Sequence, residues 1–278
     1  TRDSHSPQQN IVYADVDGNI GFIAPGRVPL RRADNDLKGV APAPGWQAKY
    51  DWQGFIPFDE LPRQFNPPSG SIATANEKIT PPGYRHWITS KWEPPFRARR
   101  IAELLGARRQ HDLASFSAMQ GDVRSLYARE VLPLLLAAPL TSDATRHAAA
   151  RLRNWDGEML RNRAEPLIVN AWLRELTRLV YADELGELFT PNWSERPIFM
   201  LNVLRDTDGQ SRWCDDVRTP QHETCAEMIA RALDLALADL ASRYGADIAH
   251  WHWGDAHIAV SEHRPFSKQA WLAPLFEL

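Results

Sequence analysis

The periodicity of apolar residues changes once along this chain, near Arg97, and that change limits the folds open to it. Before it, short β-type runs such as "NIVYADVDGNIGFI" and "SIATAN" are separated by Gly, Pro and Asp. Within the first of them "VDGNIG" has the composition of a tight hairpin turn. After it, apolar residues recur at helical spacing. "RARRIAELLGA" runs to a glycine stop, and "DLASFSAMQGDVRSLYAREVLPLLLAA" opens on an Asp suited to a helix cap. "TSDATRHAAARLRNW" begins with Thr and Ser cap candidates. "EPLIVNAWLRELTRLVYADELG" has proline near its start and glycine at its end, the asymmetry expected of a helix. "ETCAEMIARALDLALADLASRYG" is the longest clean amphipathic run, and "HWHWGDAHIAVSEHRPF" after it reads as loop and strand. The pattern predicts an α+β fold in three stretches. A β-rich segment covers 1–96, a helical body 97–245, and a Trp/His-rich loop and strand segment 246–278, all within one structural unit.

Composition excludes some partners. A net charge of −3 leaves no basic excess for nucleic acid. The longest apolar run, "VLPLLLAAPL" at 131–140, is too short for a membrane span and contains prolines. "TRDSHSPQQN" lacks the apolar core of a signal peptide, so an exported protein would contain this sequence as a processed or excised piece. The eleven Trp supply large apolar bodies, each with one N–H that needs a partner when buried. Cys214 and Cys225 flank a polar, Pro-containing loop in "WCDDVRTPQHETC". That spacing is too wide for a metal site and reads as a disulfide formed in an oxidising compartment. Two free buried thiols are the alternative.

The chain contains no G-x-S-x-G, P-loop, H-E-x-x-H or paired-glycine motif. His250, His252, His257 and His263 crowd together, but a zinc site needs three imidazoles on one point. His257 and His263 lie beyond a Gly-Asp turn, so a packed aromatic segment is the favoured reading and a zinc-binding protein the alternative. The cations of "KWEPPFRARR" suit a solvated helix start. Arg97 follows "WEPPF" at the helix entry, where a guanidinium serves the structure, clamps a carboxylate or orients a neighbouring amide. Asn76 ends "GSIATAN" between two proline pairs. Asn is a poor strand residue, so it is either a turn former or a side-chain donor of the oxyanion-hole kind.

Two long stretches carry a family resemblance. "PQQNIVYADVDGNIGFIAPGRVPLR" and "YDWQGFIPFDELPRQFNPPSGSIATAN" resemble the β chain of the penicillin acylase family of N-terminal-nucleophile hydrolases. "WEPPFRARRIAELL" and "RLRNWDGEM" are similar to later elements of that family, so the resemblance covers nearly the whole chain. It implies part of an αββα fold, two stacked sheets between helices. It also implies an amidase acting on linear amides such as a penicillin-like β-lactam or an acyl-homoserine lactone. Asn76 takes the position of the oxyanion-hole asparagine and Arg97 that of the active-site arginine. The family often follows this Asn with Asn or Gln, whereas Glu77 stands here and is expected to point outward.

The catalytic Ser of the family opens the β chain and uses its own α-amino group as base. Thr1 lies too close to the first motif to match it, so the nucleophile is expected upstream of this chain. The expected partners are a small amide substrate and the remaining precursor segments, the α chain and the N-terminal part of the β chain. The expected location is the periplasm or the exterior. No catalytic cofactor is implied. Some members hold a structural calcium, but one of its carboxylates falls near His86, where no acid stands, so calcium is not expected here. The alternative from another class is a stand-alone, non-catalytic Trp-rich binding module.

Overall fold

The computed structural model describes residues 2–276. The chain divides into two compact units, Thr1–Gly121 and Asp122–Leu278. In the first, β1 (Ile11–Ala14) and β2 (Ile20–Ile23) form the hairpin that "VDGNIG" announces. Asp15 closes the turn, its Oδ1 accepting the backbone N–H groups of Asp17 and Asn19 at 3.0 and 2.8 Å. Tyr13 stands opposite Gly21, and a Cβ on Gly21 would lie 2.0 Å from the Tyr13 ring. Glycine is therefore required for the ring to lie across the strand. β3 (Pro29–Arg31) pairs with β4 (Trp52–Phe55), and β5 (Arg63–Phe65) adds to β2, giving a three-stranded order β1-β2-β5 beside a two-stranded ribbon. Val28, Ile56 and Leu61 form a small core with Leu30, Phe58 and Ile88.

Residues 71–76 are not a strand. They carry no ladder among the described residues, because a strand exists only where a second backbone pairs with it. Helix α1 (Phe96–Gly106) follows, then α2 (Leu113–Gln120), which Asp112 caps through the Ser115 N–H at 2.8 Å. The apolar period that begins at Asp112 does not continue as one helix; it breaks at Gly121, where the first unit ends.

The second unit contains α3 (Leu126–Leu136), α4 (Asp143–Leu152), α5 (Glu165–Leu185), the single turn α6 (Phe189–Asn192), α7 (Pro197–Leu204) and α8 (Cys225–Tyr244). Its core is α5 against α8. Ala232 and Ala236 are fully buried on α8, and such small residues let the helices approach closely enough to bury Trp172, Leu176 and Val180. Trp172 donates its indole N–H to the Ile229 carbonyl at 2.8 Å. Trp155 and Trp251 are likewise buried and bonded, to the carbonyls of Glu158 and Gly245. Thr224 starts α8 with a reciprocal capping box to Glu227, and Gly245 ends it at a φ of 86°.

Cys214 and Cys225 are disulfide-bonded with Cα atoms 5.0 Å apart, tying a helical turn (Thr207–Cys214) to the first residue of α8. No free thiol remains among the described residues.

The strand expected in 246–278 is absent among the described residues. Trp253 and Gly254 instead donate to the carbonyls of Arg163 and Arg161, and the backbone curls into the short turns α9 (Trp253–Ala256) and α10 (Ala273–Phe276). No described helix is long and apolar enough to cross a membrane.

Candidate active site

Asn76 has a φ of +66°, the left-handed region that Asn enters more readily than most residues. It follows buried Ala75 in the loop leading to α1, and the Glu93 N–H donates to its carbonyl at 3.0 Å. Arg97, in the first turn of α1, reaches back twenty-one positions to it. Its Nη2 donates to the Ala75 carbonyl at 2.8 Å and to Asn76 Oδ1 at 3.0 Å.

A guanidinium carries only donors, so the amide atom facing it must be the oxygen. The Nδ2 end of Asn76 is then left as a donor without a partner among the described residues. Arg97 thus fixes which way the amide points. Glu77 is turned back onto its own chain, its Oε2 accepting the Ala75 N–H at 2.6 Å.

Asn76 opens into a hollow of about 440 Å³ lined by Gln8, Gln9, Asn10, Thr74, Ile79, Thr89, Lys91 and Trp92. Gln8 is anchored by donating to the Ala24 carbonyl just past β2, at 3.1 Å, which brings the segment before β1 to the hollow. The lining is mostly amide, hydroxyl and ammonium, with no carboxylate among the described residues. It suits a polar group that bears acceptors. Arg97 and Asn76 were singled out from sequence and meet in space. Lys91, Trp92 and the Gln8–Asn10 wall were not, although the glutamines lie inside the first family motif. Their signal is proximity, which a linear reading does not carry.

The other candidates do not converge. His250 pairs with Asp247 at 3.0 Å and His252 with Asp255 at 3.5 Å, while His257 stacks on Trp253 and His263 on Phe266. No group of three metal-ligating side chains forms among the described residues. At His86 the neighbouring acid is Glu60, whose Oε2 lies 2.6 Å from His86 Nε2 and which also pairs with Arg85. Arg85 first, and then His86, hold the Glu60 carboxyl below its usual range. A carboxylate already neutralised by a guanidinium does not fit a calcium site. Thr1 lies outside the described residues.

The penicillin amidase family pattern matches residues 1–277. This chain belongs to the penicillin amidase family. Among its relatives, the acyl-homoserine lactone acylase QuiP of Pseudomonas aeruginosa (strain PAO1) is 33% identical over 92% of this chain and 32% of the relative. Penicillin acylase 2 proenzyme of Pseudomonas sp. (strain SE83) is 30% identical over 96% of this chain and 34% of the relative. Penicillin G acylase of Escherichia coli is 34% identical over 87% and 32% respectively. The penicillin amidase chain described here therefore spans about a third of the length of the curated relatives it matches. It shares the α+β fold of a solved thermostable penicillin G acylase from Alcaligenes faecalis, with a TM-score of 0.67 at 22% identity, over 88% of this chain and 49% of that one.

Proposed function

We propose that the protein carrying this chain is an amidase that removes an acyl group from a linear amide, with Asn76 as the oxyanion donor and Arg97 as the residue that positions it. The observation that carries this reading is the orientation of Asn76. Its oxygen is engaged by Arg97, and its N–H₂ has no partner among the described residues and sits beside the polar hollow. An uncharged donor held in advance stabilises charge that appears on a carbonyl oxygen during attack, without reorganising at that moment.

The nucleophile in this reading is an N-terminal Ser outside this chain, with its own α-amino group as base. The hydroxyl oxygen bonds to the amide carbon, and the oxyanion forms within reach of Asn76. The C–N bond then breaks as the amine takes the proton held by the α-amino group. Water hydrolyses the resulting ester by the same route. The substrate class is a penicillin-like β-lactam amide or an acyl-homoserine lactone. The chain works with the remaining segments of its precursor, in the periplasm or outside the cell. No metal has a role in the chemistry, and no calcium is assigned.

The test is product chemistry with the full-length protein. An acyl-homoserine lactone should yield one free amine per molecule consumed, measured with an amine-reactive dye, together with one equivalent of carboxylic acid. Opening of the lactone ring with no amine released would overturn the assignment.

A further inference from the structure

Among the described residues Lys91 is the one cation lining the hollow beside Asn76, and the proposed chemistry does not use it. It is exposed and forms no ion pair among the described residues, and its backbone N–H donates to Thr89 Oγ1 at 3.0 Å, closing a turn that presents it. The acids nearest in sequence do not neutralise the hollow. Glu77 is spent on the Ala75 N–H, and neither Glu77 nor Glu93 lines the cavity. Gln9, Asn10, Thr74 and Thr89 add neutral polar groups, and Trp92 supplies an apolar plate. Among the described lining residues, a charged group entering here meets one cation, Lys91, and no carboxylate.

We propose that Lys91 is a specificity-determining residue that selects amides carrying a carboxylate close to the scissile bond over otherwise identical neutral ones. This deepens the amidase reading and rests on it, since Asn76 and Lys91 share one hollow. An ammonium in an open hollow attracts a carboxylate and is indifferent to an ester or lactone of the same shape. The polar lining places the carboxylate on the amine half of the substrate, because an apolar acyl chain would find little to pack against beyond Ile79 and Trp92. The anionic nucleus of a β-lactam has such a group, and so does an acyl-homoserine whose lactone has opened. The intact lactone does not.

Because Lys91 is exposed, the discrimination is modest, roughly two- to fivefold, the range of exposed ion pairs, and it weakens with salt. The experiment compares kcat/KM of the full-length protein for N-acyl-homoserine and for its lactone, in which a neutral ring ester replaces the carboxylate and the side-chain hydroxyl. The parent should favour the carboxylate at low salt. Lys91→Met should abolish the preference, and Lys91→Glu should invert it, with thermal stability unchanged in both. An equal loss for both substrates in Lys91→Met would overturn the proposal, as would a parent preference for the lactone.

A second measurement separates this from failure of the amidase reading. Binding of free homoserine and of homoserine lactone is followed by calorimetry. A Lys91-dependent preference for homoserine without any amide turnover would sink the amidase and leave the anion site standing. Turnover without that preference would do the reverse.

Discussion

Replacing Asn76 by Asp changes one atom's chemistry and almost nothing else. Asp tolerates the left-handed backbone nearly as well as Asn, so the φ of +66° is not disturbed. The contact to Arg97 Nη2 at 3.0 Å survives, because the retained oxygen accepts as before. That bond becomes charge-assisted, and after allowance for its exposure the gain is at most about 1 kcal/mol. The N–H₂ is lost and replaced by an ionised oxygen. Losing one oxyanion donor costs about 2.7–4 kcal/mol, or two to three orders of magnitude in kcat, and a like charge beside the developing oxyanion adds to the loss. Stability and catalysis should therefore part. The melting temperature of Asn76→Asp should equal or exceed that of the parent while kcat falls at least a hundredfold, with KM changed much less. Asn76→Ala should lose kcat to a similar degree and lose some stability as well, since Ala suits the left-handed region poorly. The assay pairs thermal unfolding with single-turnover kinetics in the full-length protein. Near-parent kcat in Asn76→Asp would refute the reasoning, because a residue that only makes a turn accepts Asp.

Arg97→Met removes the group that sets the Asn76 amide, so kcat should fall by roughly ten- to a hundredfold through lost positioning. Arg97→Lys should recover part of it, and kcat measured beside KM distinguishes this from lost binding. Denatured but unreduced protein should show no thiol from Cys214 or Cys225 on titration. Replacing both by Ser should destabilise the second unit by about 3 kcal/mol, seen as a lower denaturant midpoint. Asp216 is held at about 2 by Arg218, which donates to both its oxygens, against an ordinary value of 3.8. A depressed carboxyl contributes stability that is complete above the unfolded value and disappears as pH falls through the folded one. The melting temperature should therefore drop between about pH 4 and pH 2, and Asp216→Asn should flatten that limb.

What could be read from the sequence was what neighbours along the chain decide. Helix α8 was legible because Thr224, Glu227 and Gly245 punctuate a clean apolar period, and the disulfide because both cysteines flank one polar loop. The Asp15 turn was legible for the same local reason. Distance defeated the rest. Residues 71–76 have strand composition, yet pairing depends on a second backbone that composition does not locate. "HWHWGDAHIAV" likewise resembles a strand, but its N–H groups find the carbonyls of Arg161 and Arg163. The hollow joins residues near 8, 74 and 91, and no periodicity links them.

Asn76 shows why a local reading stalls between two roles that are not in conflict. For the backbone alone, Gly would suit a φ of +66° best and Asp about as well as Asn. For donation alone, any side-chain amide or hydroxyl of suitable reach would serve. Asn meets both demands, entering the left-handed region at small cost and carrying an acceptor and a donor on one planar group. Arg97 then divides that group by claiming its oxygen, and the donor is what remains. A turn residue on its own gives Arg97 no reason to reach back from α1. The guanidinium contact is therefore the feature that turns a tolerable conformation into an aimed N–H, and it links two positions that look ordinary when read separately.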